Sequence, residues 1–263
     1  MIKRFVKKIK NAIKYRHFLS SLVFKQFKVR YAQSYLSMTW LVLEPLLLVL
    51  TLSYIFTAIG RKAPGGHPFP IFFYSGLLPW NYFVNSLVQG TTSFISDSSL
   101  IKKIYYPREL SVVKTIAVNF IDFLFANVAF IVILIIYNYS VNWNFFYIPV
   151  LLILQTTFVY GLALIFASMN VFVRDIGIIV NTLRTLWFWA TPIIFYYPYA
   201  GKTKFLYYVN PMTGIIVNYR IIIMDGNPPV IKYLYSVLVA SFILIILSSI
   251  VFKRLEREFV DVL

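Results

Sequence analysis

The chain has no cysteine, which excludes disulfides, thiolate metal sites and a cysteine nucleophile. Histidine is nearly absent as well. His17 and His67 are its two copies, and the topology derived below puts them on opposite sides of a membrane, so they do not form a metal centre or an acid–base pair. Negative charge is also scarce, with 9 acids against 25 Lys and Arg, and charged residues make up only 13% of the 263 positions. A soluble domain is about one quarter charged and about half apolar. Here 60% of residues are apolar and the mean hydropathy is +0.75. A body of this size keeps too large an exposed fraction to hide so much apolar surface from water, so lipid has to cover the rest. Enzyme signatures are missing too: there is no His-Glu-x-x-His and no Gly-x-Ser-x-Gly. Gly201-Lys202-Thr203 resembles the tail of a phosphate-binding loop, but Tyr196 stands where that loop needs a glycine to wrap its backbone around phosphates. No catalytic residue and no metal site are expected in this chain.

What the chain does have is long apolar runs. A helix needs roughly 20 mostly apolar residues to cross the hydrocarbon core, and six segments qualify, at about 38–59, 70–92, 112–137, 146–170, 177–197 and 232–252. They are continuous runs, not the short alternating segments of a transmembrane barrel, and a helix satisfies its own backbone in lipid. The fold class is therefore an all-α integral membrane protein with six spans, and residues 1–263 form one domain with no internal repeat. Ten of the basic residues lie in the first 30 positions, and the first acid is Glu44. Ile2, Phe5, Val6, Ile9 and Ile13 make one helical stripe among lysines, and residues 18–31 form a second, looser amphipathic stretch. Residues 1–35 thus read as amphipathic helices at the membrane interface, in contact with anionic lipid and not with nucleic acid. The start lacks the apolar core of a cleavable signal. With the N-terminus inside, nineteen basic residues fall in inner segments and six (Arg61, Lys62, Lys202, Lys204, Arg220, Lys232) in outer ones. Both termini are expected in the cytoplasm.

Four places stand out along this frame. Asp122 falls about ten residues into the third span, roughly 15 Å deep, where a charge has to face protein or water; it either fixes helix packing or lines a pathway. Aromatic residues reach 19%, concentrated around Trp187-Phe188-Trp189 and Phe195-Tyr196-Tyr197. Such rings serve an interfacial belt and helix packing, or they stack on the apolar faces of sugars. The inner loop from Asp97 to Leu110 gathers Leu100, Ile101, Ile104, Tyr105 and Tyr106 beside Lys102, Lys103, Pro107, Arg108 and Glu109; so many apolar residues in a short loop suit docking to another protein or contact with lipid. The outer connection between spans five and six is apolar but broken by Asn210-Pro211, Gly214 and Asn218 and stopped by Asp225-Gly226-Asn227-Pro228-Pro229. It reads either as a re-entrant element, at about 205–226, or as a surface helix.

Read in order, these segments resemble the permease subunits of polysaccharide-exporting ABC transporters, the family of O-antigen, capsule and teichoic-acid exporters. The resemblance rests on YLSMTWLVLEPL at 35–46 (with Ser37 where glycine is usual), FFYSGLLPWNYF at 72–83, LIKKIYYPRE at 100–109, VRDI at 173–176, TPI at 191–193 and NPMT at 210–213. It implies a homodimer bound to two copies of a cytoplasmic ABC ATPase, which holds the ATP and Mg, so that this chain carries no cofactor. The implied substrate is a lipid-linked polysaccharide, O-antigen first, crossing the plasma membrane, which is the inner membrane in a Gram-negative cell. Leu100, Lys102, Lys103, Tyr106, Pro107, Arg108, Glu109, Arg174 and Asp175 would couple to the ATPase. Trp40, Tyr54, Asp122, Trp187, Trp189, Tyr196 and Tyr197 would line the path, and Asn210, Pro211 and Gly214 would form an outer gate. An exporter of drugs or lipids and an ATP-independent channel or scaffold remain the alternatives.

Overall fold

A computed structural model describes residues 15–31, 39–60, 66–139, 142–195, 205 and 209–263. Among these residues every regular element is helical. Besides a single α-helical turn at Ser93–Ser96 and 3-10 turns at Trp143–Tyr147 and Glu256–Glu258, the helices are α1 (Arg16–Tyr31), α2 (Trp40–Ala58), α3 (Phe69–Thr91), α4 (Ser98–Lys103), α5 (Glu109–Ile136), α6 (Ile148–Asn170), α7 (Asp175–Trp189), α8 (Pro211–Ile223), α9 (Ile231–Leu255) and α10 (Phe259–Val262). Three stretches, Glu109–Ile136, Trp143–Asn170 and Ile231–Glu258, are long and apolar enough to cross a bilayer, and Trp40–Phe56 and Pro211–Ile223 are shorter apolar helices.

Proline sets several of the boundaries. Pro70, Pro149 and Pro211 sit in the first turn of α3, α6 and α8, where a missing N–H costs nothing and the fixed φ already suits a helix. The fifth apolar segment departs from the sequence expectation. Its helix α7 ends at Trp189, well short of residue 197. Pro192 disfavours helical backbone at the residue before it. Thr191 instead turns its hydroxyl onto the Trp187 carbonyl at 2.7 Å, and its own carbonyl accepts from Ile193 N at 2.7 Å. Fifteen residues give α7 a length of about 22 Å at 1.5 Å per residue.

The central helix is α3, buried along nearly its whole length. It packs on α5 and α6, with α8, α7 and α2 on its remaining sides, while α9 lies along α6 and α8. The outward faces of α5, α6 and α9 are apolar, with Val128, Ile131, Ile135, Ile153, Phe242, Leu247 and Ile250 exposed. A skin of that extent is a liability in water and the natural surface against lipid. Contacts between helices use small residues, which let backbones approach closely: a Cβ at Gly161 would meet Leu244, and one at Gly214 would collide with the Tyr233 carbonyl.

The second N-terminal amphipathic stretch is α1. It is held along α5 by protein contacts, with Phe27 stacked on Phe125 at 6.2 Å and Arg30 reaching Asp122. The first stripe, at residues 2–13, lies outside the described residues. α4, residues 171–174 and α10 gather at the end that the charge pattern assigns to the cytoplasm, termed the inner end here. Tyr139, Asn142 and Gly226 meet at the outer end.

Candidate functional site

A cavity of about 450 Å³ opens between α2, α3, α5 and α7. Its wall combines three kinds of group. Trp40, Trp80, Tyr82, Phe123 and Phe188 supply aromatic surface, Asn81, Asn85 and Asn119 supply amides, and Glu44, Asp122 and Arg184 supply charge. Two helices on its border carry internal prolines, Pro45 in α2 and Pro79 in α3. Each removes one helical hydrogen bond, and the Pro79 carbonyl is bonded by Gln155 Nε2 of α6 at 2.6 Å. Amides and carboxylates that exchange hydrogen bonds with hydroxyls, next to flat aromatic faces, match the surface of a sugar better than that of a purely apolar ligand.

The aromatic residues singled out from sequence do not share one wall. Trp40 lines the cavity. Trp187 does not: it packs edge-on against Phe83 and Phe158, lines a separate 70 Å³ void, and donates its indole N–H to Asn210 Oδ1 at 2.9 Å. Trp189 and Tyr54 are exposed, and Tyr196 and Tyr197 lie outside the described residues. The residue between the two tryptophans, Phe188, faces the cavity and meets Trp80 edge to face. Residues two apart on a helix point about 200° apart, a signal already present in the Trp-Phe-Trp run.

Asp122 both lines the cavity and fixes packing. Its carboxylate is paired with Arg30 and accepts from the Tyr31 hydroxyl at 3.1 Å. Arg30 also reaches Asn119 Oδ1 at 3.4 Å and Gln89 Oε1. No spacing rule joins residues 30, 89 and 122, so this network was invisible in the sequence. Arg184, an inner-loop charge by counting, lines the cavity as well.

Toward the outer end, Asn210 caps α8 by accepting from Met212 N at 3.1 Å and donates to the Ala190 carbonyl and to Thr191 Oγ1. It thereby joins the start of α8 to the end of α7. Pro211 opens α8, and Gly214 admits the backbone of α9. Arg220, counted among the outer basic residues, is buried. It donates to the carbonyls of Pro192 (2.6 Å), Ile193 (2.7 Å) and Phe72 (3.3 Å), and its guanidinium lies 3.8 Å from the Phe72 ring centroid. An arginine inside the run Ile215–Ile223 was the sequence signal for it. His67 lies 3.3 Å from Asp225 and also meets the Tyr139 hydroxyl, and Asn142 and Asn144 both donate to the Gly226 carbonyl.

At the inner end the loop divides into an outward and an inward set. Lys102, Lys103, Ile104 and Tyr105 are exposed, Tyr105 at 95%. Leu100, Pro107, Arg108 and Glu109 are half-buried. Tyr106 turns in: its hydroxyl is 2.8 Å from Ser111 Oγ, its ring packs on Phe18, and burial pushes its pKa up to about 12. Arg108 bonds the Glu256 carbonyl and lies over the Phe259 ring. Phe259 in turn touches Phe94, Phe172 and Phe252, so the C-terminal turn braces both inner loops. Lys114 is not a loop charge but a buried partner of Asp97, 2.7 Å from both carboxylate oxygens. Val173, Arg174 and Asp175 are exposed, and Asn170 holds the turn they occupy, bonding the Thr91 carbonyl and Gly177 N.

A helical bundle with an apolar skin, an internal polar and aromatic cavity and two exposed inner loops has the build of a membrane transport subunit. The chain belongs to the ABC-2 type transporter family, whose model matches residues 17–224. Among curated relatives it is similar to the O-antigen export system permease protein RfbA of Myxococcus xanthus, 29% identical over 261 residues, covering 97% of this chain and 99% of that protein. It is similar also to a protein of the same name from Klebsiella pneumoniae, 30% identical over 249 residues and covering 91% and 92% of the two chains.

Proposed function

We propose that this chain is the membrane subunit of an ATP-driven O-antigen exporter in the plasma membrane, the inner membrane of a Gram-negative cell. The observation that carries the reading is near end-to-end similarity to permeases named for that export, covering 97% of this chain and 99% of a relative. The cavity supports it, because its aromatic faces and amides suit a glycan. In this reading two copies of the chain pair and bind two copies of a cytoplasmic ABC ATPase. ATP and Mg²⁺ are held, and ATP is cleaved, on that partner. Both termini are cytoplasmic and the chain crosses the bilayer six times.

Tyr105, Lys102 and Lys103 with Arg174 and Asp175 form the ATPase-facing surface. Leu100, Tyr106, Pro107, Arg108 and Glu109 set its shape from behind. Trp40, Asp122, Trp80 and Phe188 line the glycan path, and Trp187 holds the outer segment through Asn210. That segment is re-entrant. α8 begins beside the end of α7, at Ala190 and Thr191, and runs outward past Pro192 and Ile193 to Gly226. In this reading α8, with Asn210, Pro211 and Gly214, is the start of an outer gate.

The test is reconstitution with the cognate ATPase in proteoliposomes, followed by glycan export. ATP-dependent appearance of O-antigen on the far side, lost when either subunit is omitted, is the expected result. ATP hydrolysis by this chain alone, or export of drugs or free lipid with no response to the glycan, would overturn the reading.

A further inference from the structure

The two inner loops leave different helices, yet both rest on one ring. Phe94, at the start of the first loop, lies 5.1 Å from Phe259, and Phe172, in the second, lies 6.1 Å from it, centroid to centroid. Arg108, at the far end of the first loop, lies over the same ring and bonds the Glu256 carbonyl. Phe259 is fully buried. The 3-10 turn at Glu256–Glu258 ends α9 and brings it there. The exposed positions are close to these contacts along the chain: Val173, Arg174 and Asp175 follow Phe172 directly, and Tyr105 stands three residues before Arg108. At the base of the loops Asn170 of α6 donates to the Thr91 carbonyl of α3 at 3.1 Å, which joins the two helices but not the exposed positions beyond them.

From this geometry we infer that Phe259 is a positioning residue that makes the two exposed inner surfaces move as one body when the ATPase moves either of them. The inference rests on the export reading and deepens it, naming the part that keeps the inner surface whole. Close-packed side chains transmit strain because they leave little room to yield, and contiguous packing of this kind carries coupling between sites. A ring held between Phe94, Phe172 and the Arg108 guanidinium leaves neither loop room to move alone. Without that ring, a push on Tyr105 is taken up by the void and does not reach residues 172–175. Phe252 of α9 is buried in the same cluster but is placed differently. It lies 5.9 Å from Phe94 and 6.0 Å from Phe259. Among the described residues its ring contacts reach the first loop and Phe259, not the second loop. Phe252 therefore backs the cluster, whereas Phe259 bridges it.

The equal size of these two rings separates position from packing. Replacing either by alanine leaves a ring-sized void and is expected to lower the melting temperature of the subunit. In proteoliposomes with the cognate ATPase, the quantity to read is ATP hydrolysed per glycan exported. Phe259→Ala is expected to raise that ratio about tenfold, with ATPase turnover within about twofold of the parent. Phe259→Leu is expected to bring the ratio most of the way back, and Phe252→Ala to keep the parent's ratio. Export and ATPase activity falling together in Phe259→Ala, or an equal rise in Phe252→Ala, overturns the assignment, because either marks plain loss of packing. Should Phe259→Ala not assemble, Phe172→Leu trims the second loop's side of the contact and is expected to raise the ratio about threefold; an unchanged ratio there also overturns the assignment. The parent complex is the control for the broader reading. If it exports no O-antigen the export assignment fails, whereas if it exports and every variant keeps its ratio, only the role of Phe259 fails.

Discussion

Two arginines are drawn into the helix bundle, and they are held in opposite ways. Arg30 meets a carboxylate that lines a cavity and an amide oxygen on each of two helices. Arg220 meets three backbone carbonyls and the face of Phe72. Backbone carbonyls at a helix break have no alternative donor in an apolar interior, so Arg220 behaves as a fixed structural post. The partners of Arg30 are side chains that can rotate, and the cavity offers them other contacts. The same residue type thus builds a static joint at the outer end and a separable one toward the inner end. What differs is the partner.

The comparison breaks most visibly at Arg220. Arg220→Ala leaves the Pro192 and Ile193 carbonyls without their donor and opens a void beside Gly76, against which the guanidinium packs. Unsatisfied buried acceptors cost about 1–3 kcal/mol each, so this variant is expected to lose about 3 kcal/mol or more of stability and to unfold at markedly lower temperature in detergent. Arg220→Lys should recover only part of that loss, because a single ammonium cannot reproduce the fork that reaches both carbonyls. Arg30→Ala should cost less in the same melt, about 1 kcal/mol, because its ion pair is partly open to solvent. Equal losses in the two variants would erase the distinction between post and joint. A third variant sharpens the outer joint: Trp187→Phe keeps the ring contacts with Phe83 and Phe158 but removes the donor to Asn210. It should cost about 1 kcal/mol, with export falling more than ATPase activity if α8 belongs to the gate.

The contrast also shows where sequence reading succeeds and where it stops. Apolar runs, the basic bias and the proline-framed inner loop are local signals, and a helix lies in each of the six segments. The early end of α7 was local too, since Pro192 follows Thr191 directly, but the apolar run to Tyr197 outweighed it. The opposed directions of Trp187 and Trp189 follow from helical spacing. The partners of Asp122 were out of reach, because Arg30 lies 92 positions away on an element that reads as a membrane-surface helix. Arg220 and Lys114 look like loop charges to a count of basic residues, yet each is buried in the bundle. Long-range pairing is set by how helices pack, and no residue announces its partner.

The smallest expected effect on the bundle separates docking from folding. Tyr105 is 95% exposed and follows Lys102, Lys103 and Ile104, which are exposed as well, while its neighbour Tyr106 is buried against Phe18 and Ser111. Surface substitutions away from buried features change stability by about 0.5 kcal/mol or less. Tyr105→Ala should therefore leave the melting temperature of the isolated subunit unchanged. An exposed aromatic of this kind is also the residue type that anchors protein interfaces, where truncation costs about 2 kcal/mol or more of binding. Co-purification of the ATPase should fall by about tenfold or more, whereas Tyr106→Ala should lower the melting temperature as well. If Tyr105→Ala binds the ATPase as tightly as the parent does, the docking surface lies elsewhere on the inner end, and the exposed Val173, Arg174 and Asp175 are the next residues to test.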